Sequence, residues 1–120
     1  MEKTKILLDT SFLIDLKSVE LFESFLAENF GKAEFCITTP VLKELEKMTK
    51  TKTKARRALL LLKSLSNLKI IRSDRKADES ILENAKKIGA IVATNDKELR
   101  KKLKELGTVS YTHLTLPTKA

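Results

Sequence analysis

A single cysteine, Cys36, stands among the 120 residues. No internal disulfide can form, and a zinc site built on cysteines is excluded. Three glycines and two prolines are too few for a collagen-like or disordered chain. Long apolar runs are missing: stretches such as Leu59 to Leu62 fall far short of the roughly 20 residues that span a bilayer. The opening Met1-Glu2-Lys3-Thr4-Lys5 has no apolar segment of the signal-peptide kind. A cytoplasmic protein without a membrane partner is therefore expected. No glycine follows the first apolar run, Asp9-Thr10-Ser11-Phe12-Leu13, so dinucleotide and P-loop sites are disfavoured. Aromatic residues make up 5% of the chain and are mostly Phe at helical spacing, which reads as core rather than as a base-stacking platform.

What is present in excess is positive charge. Lys and Arg number 24 against 16 Asp and Glu, a net of +8. The excess is local. Met1 to Phe35 carries four Lys and seven acids, whereas Lys43 to Lys76 carries twelve basic residues and three acids. Clustered cations of this kind suit a polyanion partner, nucleic acid first, although a solvated basic surface has the same composition.

The C-terminal stretch differs from the rest. Thr108 to Lys119 is rich in Thr and nearly uncharged. Ten consecutive residues, Val109 to Thr118, match the translation of a common transposon-based sequencing adapter. Residues 1–107 are thus expected to form the domain, with the native gene truncated near Gly107 and residues 108–120 a non-native tail. The only histidine, His113, and the only tyrosine, Tyr111, fall in this tail and are given no function. Without a native histidine a Ser-His-Asp triad is absent. The alternating segment Val109 to Leu114 could still pair as an edge strand through its β-propensity.

Strands and helices alternate. Lys5 to Leu8, Glu34 to Thr38, Leu68 to Ile71 and Ala90 to Ala93 are short, near-continuous apolar runs, the pattern of buried parallel strands. Between them, apolar residues recur at three- and four-residue spacing. A helical face starts at Phe12. Further helices are predicted over Val19 to Phe30 (closed by Gly31), from Thr39-Pro40 through Met48, over Ala55 to Leu65, over Ala77 to Ile88 (ending at Gly89), and from Asp96 to Leu106. The alternation predicts a single α/β domain, a three-layer α/β/α sandwich around a parallel sheet with right-handed crossovers.

Open sheets of this type bind ligands beyond the carboxyl ends of their strands, where strand order reverses. Asp9 follows the first strand directly, and Asp96 follows the fourth by three residues. Either alone reads as a helix N-cap. Glu44, one turn into the helix after the second strand, and Asp78, opening the helix after the third, would lie near the same edge. Four converging carboxylates repel one another unless a cation sits among them. Hard oxygen donors without cysteine or native histidine point to Mg2+ or Mn2+. Such ions activate water and screen an approaching phosphate. Lys54 and Arg57, one helical turn apart, are candidates to hold the backbone of a nucleic acid. Glu46 and Glu79 are neighbouring acids expected to be solvated or paired with lysine. Cys36, inside an apolar strand, reads as core.

At this point Ile6-Leu7-Leu8-Asp9-Thr10-Ser11-Phe12-Leu13, Thr39-Pro40-Val41-Leu42-Lys43-Glu44-Leu45, Ala77-Asp78-Glu79-Ser80-Ile81-Leu82 with Ala85, and Ile91-Val92-Ala93-Thr94-Asn95-Asp96-Lys97-Glu98-Leu99 are in view. In order and spacing they resemble the PIN-domain nuclease family, over residues 4 to 107. The resemblance implies a five-stranded parallel sheet in order 3-2-1-4-5, with the native fifth strand missing or replaced, and a Mg2+- or Mn2+-dependent ribonuclease. It carries the catalytic acids onto Asp9, Glu44, Asp78 and Asp96, with Asp9, Asp78 and Asp96 as metal ligands and Ser11 and Asn95 in support. The segment Leu45-Glu46-Lys47 followed by the basic Lys54-Ala55-Arg56-Arg57-Ala58 helix is most similar to the ribosomal-RNA-processing branch of archaeal and eukaryotic type. A toxin ribonuclease held by an antitoxin, or a catalytically idle RNA-binding module of a ribosome-assembly complex, are the alternatives. The implied partners are RNA, an antitoxin or ribosome-assembly protein, and a second copy in a homodimer.

Overall fold

The computed structural model describes residues 4–15, 33–65, 68–107 and 110–111. The helix expected over Val19 to Phe30 lies outside the described residues. The elements run β1 (Thr4–Leu8), α1 (Thr10–Ile14), β2 (Ala33–Thr38), α2 (Thr39–Met48), α3 (Thr53–Lys63), β3 (Lys69–Ile71), α4 (Ala77–Ile88), β4 (Ile91–Ala93), α5 (Lys97–Glu105) and β5 (Ser110–Tyr111).

All five strands join one sheet in order β3-β2-β1-β4-β5, and every pairing is parallel. The order expected from the family resemblance is the order observed. The fifth position is filled by a two-residue strand from the Thr-rich C-terminal segment, with Val92 opposite Ser110 and Ala93 opposite Tyr111. The order reverses at β1, which lies between β2 and β4. In β1, Ile6 pairs with Phe35 on one side and Ile91 on the other, and Leu7 with Cys36 and Val92.

The central strands are buried on both faces, as their unbroken apolar sequences require. Ile6, Leu7, Leu8, Phe35, Cys36, Ile37, Val92 and Ala93 are all buried. The helices cover them with narrow inward stripes: Val41 and Leu45 from α2, Ala55, Ala58 and Leu62 from α3, Ile81 and Ala85 from α4, Leu99 and Leu103 from α5. Each fully buried leucine contributes roughly 1.5–3 kcal/mol. Four consecutive leucines cannot all face inward at 100° per residue. Leu62 is therefore buried, whereas Leu60 is 68% exposed. At the sheet's edge β3 is short and exposes Lys69, an arrangement that discourages pairing with a further strand.

Two helix boundaries differ in detail from the sequence expectation. Thr38 rather than Thr39 is the N-cap residue of α2, and its hydroxyl makes no capping bond. Instead it meets Ser80 Oγ at 2.8 Å, because β2 ends beneath the first turn of α4. The helix expected from Ala55 starts at Thr53. Gly89 closes α4 at φ 67°, a conformation that glycine reaches without the steric cost borne by other residues. Among the described residues no helix is long and apolar enough to cross a membrane.

Candidate active site

Because β1 and β4 are adjacent and parallel, their carboxyl ends deliver Asp9 and the Thr94-Asn95-Asp96 segment to one place. The backbone N–H of Asp9 donates to the carbonyl of Ala93 at 3.1 Å, which carries the ladder one residue beyond β1. Asp9 is 5% exposed and would be costly to bury as an anion without partners. Two hydroxyls supply them: Ser11 Oγ and Thr94 Oγ1 each donate to Asp9 Oδ2 at 2.6 Å.

Those hydroxyls are themselves held. Thr94 Oγ1 accepts from the backbone N–H of Asp96 at 3.0 Å, and Ser11 Oγ accepts from the backbone N–H of Asn95 at 3.1 Å. Each hydroxyl has one proton, and both protons point at Asp9. The 3.1 Å approach of Ser11 Oγ to Thr94 Oγ1 is then a crowding of two oxygens around one carboxylate. Asn95 Nδ2 donates to Asp15 Oδ2 at 3.1 Å, which fixes the loop after β4 against the end of α1.

Asp96 does two things. Its Oδ1 accepts from the N–H groups of Glu98 and Leu99 at 2.9 and 3.2 Å, so it caps α5. Through the hydroxyl of Thr94 its backbone is also tied to Asp9. Glu44 reaches the same region: Thr10 Oγ1 donates to Glu44 Oε1 at 2.7 Å, and Thr10 is the residue after Asp9. Asp78 sits in the first turn of α4.

The electrostatics place these acids in one field. Burial pushes the carboxyl of Asp9 above its ordinary range; the hydrogen bonds from Ser11 and Thr94 and from the Thr10 backbone pull it down, and the charge of Asp96 raises it further. Asp78 is also raised, first by desolvation, then by the charges of Asp9 and Asp96, with Lys102 opposing and Glu44 adding to the rise. Asp78 is thus near enough to Asp9, Asp96 and Glu44 to feel their charge.

This donor set suits a hard divalent cation. Among the described residues no three acidic, cysteine or histidine side chains stand close enough to hold an ion by themselves. The three acids expected as ligands, Asp9, Asp78 and Asp96, are thus not drawn into one closed cluster here.

Lys54, exposed on α3, lines a cleft of about 630 Å3 with Ser11, Ile14, Asp15, Lys52 and Thr53. The cleft thus runs from the basic start of α3 to a hydroxyl that touches Asp9. Arg57, one turn further along α3, is exposed and does not line it. Ser11 and Asn95 stand beside Asp9 and Asp15 respectively. Sequence reasoning does not single out Thr10 or Thr94. A threonine after a strand reads as a cap, and only the adjacency of β1 and β4 shows what its hydroxyl reaches.

Thr94 is fully buried, and valine has nearly its shape. Thr94→Val removes a donor from Asp9 and the acceptor of the Asp96 N–H. With Asp9 as the metal ligand the family resemblance implies, partners of this outer kind are typically worth 10–100-fold in metal affinity or activity, so a loss in that range is expected. Titrating nuclease activity against metal concentration checks it.

The comparisons with known proteins agree with this architecture. The family model described as a PIN like domain matches residues 6–114. The chain is 41% identical over 83 residues to Ribonuclease VapC9 of Archaeoglobus fulgidus, a match covering 65% of this chain and 59% of that protein. It is 38% identical over 109 residues to Ribonuclease VapC4 of Methanocaldococcus jannaschii, covering 84% of this chain and 83% of that one. The chain therefore spans less than two thirds of the first relative's length. Among solved structures, the PIN domain endonuclease Utp24 superposes with a TM-score of 0.69 at 26% identity, covering 89% of this chain and 84% of that one. A domain of a functionally unknown protein from Methanocaldococcus jannaschii superposes with a TM-score of 0.69 at 23% identity, covering 98% and 95%, a likeness of fold alone. With the parallel order β3-β2-β1-β4-β5 and the matched length, the conclusion is that this chain belongs to the PIN-like domain family.

Proposed function

We propose that the chain is a metal-dependent endoribonuclease that hydrolyses phosphodiester bonds of RNA, with residues 1–107 as the nuclease domain and a role in RNA processing. The observation that carries this reading is that the Thr94 hydroxyl, donating to the Asp9 carboxylate, also accepts from the backbone N–H of Asp96, so that both acids stand at the β1–β4 junction, with Asp78 and Glu44 near enough for their charges to be felt. The ribonuclease names of the two archaeal relatives and the endonuclease name of the solved neighbour support it.

In this reading Asp9, Asp78 and Asp96 hold Mg2+ or Mn2+. The bound ion would neutralise phosphate charge and lower the pKa of a water. Ser11 and Thr94 orient the Asp9 carboxylate by donating to Oδ2. Thr10 donates to Glu44, a fourth carboxylate at this edge of the sheet. Asn95 steadies the loop that carries Asp96. Lys54, in the cleft that reaches Ser11, and Arg57 bind the backbone of the RNA strand and counter the repulsion between its phosphates and the acids.

The test is cleavage of an unstructured RNA. Activity is expected with Mg2+ or Mn2+, lost in excess chelator and restored by adding back the ion. Cleavage that persists in chelator refutes the reading. A toxin held by an antitoxin would use the same chemistry. Growth arrest on expression, relieved by co-expressing the product of a neighbouring gene, would move the role from processing to toxicity.

A further inference from the structure

A second basic cleft lies at the same carboxyl edge of the sheet, at the ends of β2 and β3. It measures about 670 Å3 and is lined by Thr39, Lys43, Arg72, Ser73 and Asp74. It shares no lining residue with the cleft at Lys54. Its floor is rigidly built. The hydroxyl of Thr39, at the start of α2, donates to the carbonyl of Ser73 and accepts from the N–H of Ser73, both at 3.0 Å. The N–H of Arg75 donates to Ser73 Oγ at 3.2 Å, and Arg75 Nε pairs with Glu83 Oε1 at 3.2 Å. The loop after β3 is thus pinned at both ends of its turn. Arg75 is engaged in doing so, whereas Arg72 and Lys43 are exposed, and among the described residues neither is in an ion pair. Two unpaired cations therefore face one concavity, against a single acid, Asp74.

We propose that this cleft binds a backbone phosphate of the RNA strand, flanking the bond that is cut, with Lys43 and Arg72 as the ligands. This rests on the ribonuclease reading above. The sheet sets the distance. In the order β3-β2-β1-β4 the cleft lies about two strand spacings, ~10 Å, from the β1–β4 junction that carries Asp9 and Asp96. A strand whose scissile phosphate sits at the acids reaches the cleft within a few nucleotides. Lys43 is also the neighbour of Glu44 on α2, so one helix carries both an acid of the pocket and a cation of the cleft. Phosphate binding of this kind sets register without reading sequence. A pre-formed cleft on anchored backbone loses little freedom on binding.

The test measures the affinity of the full chain for an unstructured single-stranded RNA as a function of salt, in chelator so that the strand stays intact. The double variant Lys43→Ala, Arg72→Ala is expected to bind about tenfold more weakly at low salt. Its slope of log affinity against log salt should be shallower by about 0.7 for each phosphate left unneutralised. The control is Lys86→Ala, Lys87→Ala, which removes the same charge from the far end of α4, at the opposite edge of the sheet; it is expected to leave the slope unchanged. Circular dichroism confirms that each variant is folded, and Lys43→Glu with Arg72→Glu, keeping long side chains, should weaken binding further. Equal losses in the cleft and control variants, or an unchanged slope in the cleft variant, overturn the proposal while leaving the ribonuclease reading in place. Failure of the unaltered chain both to bind and to cleave RNA overturns the two together.

Discussion

Asp9→Asn is expected to abolish RNA cleavage while raising the melting temperature of the metal-free protein. The two effects have one cause. Asp9 is nearly inaccessible to water, and burial, then the charge of Asp96, hold its carboxyl above the ordinary range against the hydrogen bonds from Ser11 and Thr94. An acid with a raised pKa in the folded state binds its proton more tightly there than in the unfolded chain. Its ionisation therefore opposes folding, and the penalty grows as pH rises from the unfolded pKa to the folded one. It is complete once the pH exceeds the folded-state pKa. Asparagine keeps an oxygen that can accept from both hydroxyls and removes the charge. A gain of about 1 kcal/mol is in line with removing a functional strain, and it should vanish in acid, where the unaltered residue is already neutral. Activity should fall by more than about 100-fold, since even the outer partners of metal ligands account for roughly 10–100-fold. Thermal melts at acid and neutral pH, with and without Mg2+, together with a cleavage assay, check both halves. Retention of most of the activity would remove Asp9 from the chemistry.

The second large effect separates two roles at Asp96. Its Oδ1 caps α5 through the N–H groups of Glu98 and Leu99, and its charge belongs to the acidic pocket. Asparagine is as good an N-cap as aspartate, whereas alanine forfeits about 1 kcal/mol. Asp96→Asn and Asp96→Ala are both expected to lose more than about 100-fold in cleavage, and only the alanine variant should melt lower. If Asp96→Asn cleaves normally, Asp96 is a cap and no more. Chemical denaturation beside single-turnover kinetics distinguishes the outcomes.

How legible these features are in the sequence depends on whether a residue's task is local. β1, β2 and β4 are readable because unbroken apolar runs such as Ile6-Leu7-Leu8 suit only a doubly covered strand. Asp9 and Asp96 stand out because each marks the end of such a run. Glu44 and Asp78 are harder, being helix residues whose convergence depends on strand order. Thr94 is opaque. Its hydroxyl matters only because β4 returns beside β1, 85 residues away in the case of its bond to Asp9. The Lys43–Arg72 cleft is hidden for the same reason. One residue lies on α2 and the other after β3, and β2–β3 pairing brings them together. The exposure of Leu60 likewise escapes a count of leucines, since composition carries no direction around a helix.

Asp9, Glu44, Asp78 and Asp96 follow β1, β2, β3 and β4 respectively. The junction that matters, β1 against β4, joins the domain's first strand to one of its last. During synthesis, which proceeds from the N-terminus, that seam stays open until almost the whole domain has emerged. A nascent chain therefore cannot bring Asp9 and Asp96 together before β4 has emerged. The two aspartates become neighbours only when the late strand slots in beside the earliest.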